Sequence, residues 1–246
     1  MPVPRDKVTV VIPTYDERES IESVARGVRA HGYRLLVVDD DSPDGTGEIA
    51  DRLSERDGLI SVLHRPTKQG LGRAYAAGFE AALRGDPEIV CQMDADLSHD
   101  PERLPALVAA VEAGADLAVG SRLIPGGAIV DWPAGRRLLS RWGNRYARVA
   151  LGVPVRDLTS GFRAFRSHSL QRLESESCRA NGYAFQIETV WRAHHAGMHI
   201  VEVPITFSER TAGKSKLGGD VVFEAMWLVT LWGFCRAMRR PPPARR

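Results

Sequence analysis

Two rhythms of apolar and polar residues alternate through the first half of the chain. Short continuous apolar runs, "KVTVVIP" (7–13), "RLLVVDD" (34–40), "LISVLHR" (59–65), "EIVCQMD" (88–94) and "DLAVGSR" (116–122), read as buried strands. Between them lie helical segments: "ERESIESVARGVRAHG" with Ile21, Val24 and Val28 on one stripe, "GTGEIADRLSER", "LGRAYAAGFEAALRG", and "PERLPALVAAVEAG" behind a proline. Continuous apolar strands alternating with helices predict an α/β fold with a largely parallel sheet covered on both faces. Such sheets bind ligands at the carboxyl ends of their strands.

Each predicted strand ends in a polar cluster: "PTYDE", "DDDSPDGT", "RPTKQGLG", "DADLSHD" and "GSR" in turn. The core needs only the apolar residues before them, so their common placement predicts one functional rim. Beyond residue 125 the rhythm loosens into a Gly/Pro loop and a basic amphipathic helix within "PGGAIVDWPAGRRLLSRWGNRYARVALG". A helix "YAFQIETVWRAHHAG", a strand "HIVEVPITFSER" and a basic glycine loop "TAGKSKLGG" follow. No repeat or linker marks a second domain. One catalytic domain is expected over 1–220, with 221–246 as a C-terminal amphipathic helix and basic tail.

Composition narrows the class. With 246 residues, 43% hydrophobic and 26% charged, the chain is long enough for a substantial core and is not disordered. A net charge of +2, without nucleic-acid motifs, argues against a nucleic-acid partner. Cys91, Cys178 and Cys235 fit buried thiols in a reducing compartment. The apolar core of the N-terminus, "VTVVI", is shorter than a signal-peptide core. The longest apolar stretch, 221–238, contains Glu224 and Arg236 and falls short of the ~20 residues that span a bilayer.

The acids carry the candidate chemistry. Asp94 and Asp96, at i and i+2 beyond a strand, can converge on a hard divalent ion whose other ligands are phosphate and water. A solvated turn is the bland alternative for such a pair alone. Asp39 and Asp40 can accept hydrogen bonds from a base or ribose, while Ser42, Asp44 and Thr46 are also explained by turn and cap chemistry. Tyr15 can stack on a base beside Glu17, which also suits a first helical turn. Arg122, Arg136, Arg210, Lys214 and Lys216 lie in loops or loop margins and supply positive charge for phosphates. "KQGLG" (68–72) lacks a full phosphate-loop pattern, and His195 and His199 are separated by Gly197, so both read as structural.

The segments "IPTYDERESI", "VVDDDSPDGT", "KQGLGRAY", "MDADLSHDPE", "DLTSGFRAF", "GYAFQIE" and "EVPITFSERTAGKSKLGG" resemble, in order, the dolichol-phosphate (polyprenol-phosphate) mannosyltransferases of glycosyltransferase family 2. The resemblance implies a GT-A fold with a mostly parallel Rossmann-like sheet, GDP-mannose as donor, Mg²⁺ or Mn²⁺, and a polyprenyl or dolichyl phosphate acceptor. It implies a donor site of Pro13, Tyr15, Glu17, Val37, Asp39, Asp40, Asp94, Ala95 and Asp96, closed by Arg210 and Lys216. Asp94 and Asp96 hold the metal and, with Arg122, Arg210 and Lys216, form the catalytic set. Arg122, Arg136 and Ser140 fall on the lipid-phosphate side. Asp16 departs from the family pattern, which commonly has Asn there, a change expected to be tolerated.

An ionised acceptor phosphate needs no strong general base, so the expected reaction is inverting transfer to a β-linked mannosyl phospholipid. A peripheral place on the cytoplasmic membrane face follows, with the Trp-rich C-terminal stretch touching a bilayer, a separate membrane subunit or its own core. The alternatives are a sister transferase using UDP-glucose, a metal-dependent nucleotidyltransferase, and a non-catalytic nucleotide-sugar-binding subunit.

Overall fold

The computed structural model describes residues 2–174, 182–208 and 219–237, and at positions 174, 182, 183, 219–224 and 235–237 it describes the backbone alone. Chain order is β1 (Val8–Thr14), α1 (Ile21–Ala30), β2 (Arg34–Asp39), α2 (Thr46–Arg56), β3 (Ile60–His64), α3 (Leu71–Leu83), β4 (Ile89–Gln92), α4 (Leu104–Glu112) and β5 (Leu117–Ser121). Then come β6 (Ala128–Ile129), α5 (Ala134–Leu151), β7 (Arg163–Arg166), α6 (Ser167–Glu174), α7 (Gly182–His195), β8 (Ile200–Pro204), β9 (Thr206–Phe207) and α8 (Gly219–Ala237).

The main sheet has the order β3-β2-β1-β4-β7-β5-β8. All its pairings are parallel except those of β7, which runs antiparallel between β4 and β5. Because β7 reverses against both neighbours, β4 and β5 still point the same way. The carboxyl ends of β1 to β5 therefore share one edge, as the alternating pattern predicts. The strand β7 is absent from the pattern because it is only four residues long and has a charged residue at each end, Arg166 and the fully buried Arg163. Arg163 donates from Nε to Ser160 O (2.9 Å) and from Nη2 to Leu158 O and Gln186 O (2.9 Å each), tying the 158–160 loop to α7.

Each face of the sheet buries its own apolar cluster. One lies under α1, α2 and α4, built from residues such as Ile21, Val24, Ile49, Leu104 and Leu107. The other lies under α3, α5, α6, α7 and α8, with Tyr75, Phe79, Leu151, Leu170, Phe185 and Trp232. Helix α3 lies so close that a Cβ on Gly78 would stand 2.5 Å from Val11 Cγ1. On α8, Ala225, Leu228, Val229 and Trp232 are buried, and Trp232 stacks on Trp191 of α7 at 5.6 Å.

Candidate functional site

At one end of the shared edge, the loops after β1, β2 and β3 meet. Lys68, in the loop between β3 and α3, places its Nζ 3.7 Å from the centroid of the half-buried Tyr15 ring. Arg65 in the same loop pairs with Asp40. Burial raises the Asp40 pKa, and the Arg65 charge only partly counters it. Asp39 is nearly buried, its Oδ1 accepting from the hydroxyls of Ser42 (2.6 Å) and Thr14 (3.1 Å) and its Oδ2 from Ser42 N (3.2 Å). Asp44 accepts from Thr46 N (3.0 Å) in the turn before α2 and from Arg18 N (3.0 Å), and Thr46 Oγ1 accepts from Glu17 N (3.0 Å), so both residues tie the loop after β2 to the loop after β1. Glu17, in the turn before α1, accepts from the Ser20 hydroxyl at 3.2 Å, and the first-turn acid of that helix is Glu22 instead. Pro13 sits beside Val38 in the strand register, and the Val37 side chain is fully buried under α1 and α2, so a ligand contact at Val37 would come from its backbone.

Asp16 has φ 57°, in the left-handed region that Asn and Asp enter most readily after glycine. This explains why Asp is accepted where the resembling family has Asn.

The centre of the edge is the turn beyond β4. Leu97 at φ 61° reverses the chain, so Ser98 N donates back to Asp96 Oδ1 (3.0 Å). The ring of His99 reaches under the start of the turn, its Nδ1 accepting from Asp94 N at 3.3 Å. Burial depresses the His99 pKa despite the opposing charges of Asp94 and Asp96, so the ring is neutral. Asp94 Oδ1 accepts from the Tyr75 hydroxyl at 2.9 Å. Ala95 is buried between the two acids.

Aromatic contacts continue from this turn towards α5. His99 stacks on Phe162 (5.0 Å) and meets the Phe207 ring edge-on (5.3 Å), which in turn meets Trp132 (5.5 Å). Arg136 lies 3.9 Å over the Trp132 ring. Arg122 is nearly buried and gripped by Asp157, Nε donating to Oδ2 and Nη2 to Oδ1 at 2.7 Å each. Arg122, Arg136 and Ser140 line one cavity of about 130 Å³, together with Asn144 and Thr159. Ala225, Met226 and Val229 of α8 form part of its apolar wall.

Residues 9–174 match glycosyl transferase family 2. The chain is 47% identical over 233 residues to the polyprenol monophosphomannose synthase of Mycolicibacterium smegmatis, covering 94% of this chain and 88% of that one. The chain belongs to glycosyl transferase family 2. It is 45% identical to the undecaprenyl-phosphate mannosyltransferase of Micrococcus luteus over 92% of this chain and 94% of the relative. Among solved structures, the fold is shared with a mannosyltransferase from Pyrobaculum calidifontis in complex with GDP-Man and Mn²⁺, with a TM-score of 0.57 at 20% identity, over 99% of this chain and 68% of that one. The protein is a glycosyltransferase with a GT-A fold.

Divalent metal chemistry fits the residues of this transferase at the turn beyond β4. Asp94 and Asp96 are hard oxygen donors, and the buried Ser98 hydroxyl beside them has no hydrogen-bond partner among the described residues. Gly161 keeps the space next to Asp94 open, since a Cβ there would stand 3.1 Å from Asp94 Oδ2. Arg210, Lys214 and Lys216 lie outside the described residues, as does Cys178. Gly197, at φ 72°, follows the end of α7 and separates His195 from His199. His195 Nδ1 lies 2.9 Å from Trp191 O and His199 Nδ1 lies 3.3 Å from Gly114 O.

Sequence reading missed Tyr75, Lys68, Trp132, Phe207 and Asp157 as parts of the site. Apart from the Trp132–Arg136 contact, which spans four residues, they meet their partners across long stretches of chain, for instance 35 residues between Arg122 and Asp157, where neither periodicity nor a local motif signals the contact.

Proposed function

We propose that this transferase is a polyprenyl-phosphate mannose synthase, moving mannose from GDP-mannose to a polyprenyl or dolichyl phosphate with Mg²⁺ or Mn²⁺. The observation that carries this reading is the cavity between α5 and α8. Cations and hydroxyls from Arg122, Arg136, Ser140 and Thr159 line part of it, and apolar side chains of α8 line another, a match for a phosphate joined to a hydrocarbon chain. The names of the relatives from M. smegmatis and M. luteus support the same substrate class.

In this reading Arg136 and Ser140 hold the acceptor phosphate, while Asp157 keeps Arg122 fixed at the cavity wall. The phosphate monoester, with a second pKa of about 6, is largely ionised near neutral pH. One of its oxygens attacks the anomeric carbon as the bond to GDP breaks, giving the inverted β-linked product. Tyr15, Glu17 and the loop carrying Lys68 orient the nucleoside end, and Arg210 and Lys216 neutralise the leaving diphosphate. A divalent ion at Asp94 and Asp96 supplies further charge neutralisation when bound.

A membrane-facing surface belongs to the same reading. Leu138, Leu139, Trp142 and Val149 of α5 and Trp227 and Phe234 of α8 are exposed. Exposed Arg137, Arg141 and Arg145 share α5 with them, a combination suited to an anionic bilayer surface. Among the described residues no helix is long and apolar enough to cross a membrane. A peripheral position on the cytoplasmic face is the corresponding proposal. A separate membrane subunit docking on this face is the alternative.

The test is transfer of radiolabelled sugar from GDP-mannose, UDP-glucose and GDP-glucose to a short polyprenyl phosphate, with Mg²⁺, with Mn²⁺ and with EDTA. Metal-dependent mannolipid from GDP-mannose alone is expected. Product from UDP-glucose instead would overturn the donor assignment, and no product from any donor, with membranes supplied, would overturn the enzyme reading.

A further inference from the structure

We infer that Tyr75 is a positioning residue for the transfer, its hydroxyl fixing which oxygen of Asp94 is presented to the metal-diphosphate. The inference rests on the proposed role of Asp94 and Asp96 as metal ligands. Tyr75 comes from α3, on the opposite side of the sheet from α4, and is fully buried. Its ring is held between Phe79 (5.7 Å) and Phe185 (5.9 Å, planes 3° apart), so the hydroxyl has little freedom to follow a moving partner.

Among the described residues, Tyr75 and His99 both approach the carboxylate, and they act differently. Tyr75 donates to Oδ1 at 2.9 Å. His99 Nδ1 lies 3.8 Å from Oδ2 but already accepts the Asp94 amide hydrogen, so it has no proton to give that oxygen. A Cβ on Gly161 would stand 3.1 Å from Oδ2 and 3.4 Å from Oδ1, so the missing side chain leaves room beside the whole carboxylate. The Tyr75 hydrogen bond holds Oδ1 and so restrains rotation of the Asp94 carboxylate.

Hydrogen-bond partners that orient a metal-ligating carboxylate typically change metal affinity about 10- to 100-fold when removed. The experiment is Mn²⁺ binding in the presence of GDP, read by the loss of the free-ion electron paramagnetic resonance signal, on the wild type, Tyr75→Phe, Phe79→Leu and Asp96→Asn. Tyr75→Phe is expected to weaken Mn²⁺ binding about 10-fold or more. The Mn²⁺ concentration for half-maximal transfer should rise in parallel while the protein remains folded. Phe79→Leu, which loosens the packing around Tyr75 but keeps the hydroxyl, should lower the melting temperature and weaken Mn²⁺ binding less than Tyr75→Phe does. Wild-type Mn²⁺ binding by Tyr75→Phe, with binding lost in Asp96→Asn, would overturn the role of Tyr75 alone. Equal weakening in Phe79→Leu would likewise reduce Tyr75 to a packing residue. No Mn²⁺ binding by the wild type would overturn this inference and the metal assignment together.

Discussion

Arg122 and Asp157 close on each other beside the cavity between α5 and α8 through two side-chain hydrogen bonds of 2.7 Å, and the Arg122 backbone N adds a third to the same carboxylate at 3.0 Å. Burial alone would raise the Asp157 pKa, but the Arg122 charge and these hydrogen bonds outweigh it and hold the carboxyl below its ordinary value. Removing one partner of a buried pair leaves an uncompensated charge, so Asp157→Ala should cost about 3–5 kcal/mol in urea unfolding at pH 7. The depressed folded pKa sets the sign of the pH dependence. The contribution is complete above the unfolded carboxylate value of about 3.9 and is lost as pH falls through the folded value. Asp157→Asn should therefore flatten the acid side of the stability profile below about pH 4, and an unchanged acid slope would exclude this pair as its source.

Asp96→Ala should reduce sugar transfer to background while leaving the far-ultraviolet circular dichroism and melting temperature close to wild type. The loss follows from removing one of the two proposed metal ligands; the Ser98 N hydrogen bond to Asp96 Oδ1 is lost with it, a change local to the turn beyond β4. Near-normal turnover in the purified variant would remove the metal assignment.

Lys68→Met keeps the stem that packs beside Tyr15 and removes the ammonium 3.7 Å from the ring. An exposed cation–π contact of about 0.5–1 kcal/mol corresponds to an increase of about 2- to 5-fold in KM for the nucleotide-sugar donor, with kcat unchanged. A fall in kcat at unchanged KM would place Lys68 at the reacting centre and not at the nucleoside end.

Arg136→Lys should behave almost as poorly as Arg136→Ala. The guanidinium both stacks on Trp132 at 3.9 Å and reaches the cavity, and an ammonium cannot reproduce planar stacking with forked donation to phosphate. Both variants should raise KM for the polyprenyl phosphate at least about 10-fold, the scale of one lost charge-assisted hydrogen bond, with the donor KM preserved. A change confined to the donor KM would move Arg136 to the other side of the reaction.

Trp142 and Trp227 are 52% and 62% exposed on two helices that pack together. Replacing both with Ser should release the protein from vesicles containing anionic lipid in a co-sedimentation assay, and raised salt should weaken wild-type binding. Transfer to a water-soluble short-chain acceptor should persist. Unchanged sedimentation of the double variant would favour a protein partner for this face.

The elements and the site differ in how far they were legible along the chain. Strands β1 to β5 and helices α1 to α4 could be read because each buries a simple repeat: a continuous apolar run between covered faces, or a stripe such as Ile21, Val24 and Val28. Asp94 and Asp96 were visible for a related reason, being adjacent acids just past a buried strand. The family segments added the donor and acceptor assignments that charge and spacing alone leave open.

Local sequence thus determined the α/β alternation, the common edge and the placing of acids on it, because these depend on interactions within a few residues. Tertiary structure decided the insertion of β7, which places the buried cation Arg163 in the sheet and satisfies it with carbonyls from two other segments. It also decided which oxygen of Asp94 faces Tyr75, that Asp157 grips Arg122, and that Lys68 covers Tyr15. Those contacts join segments far apart in sequence, and their energies come from burial and geometry that exist only once the sheet has brought its loops together.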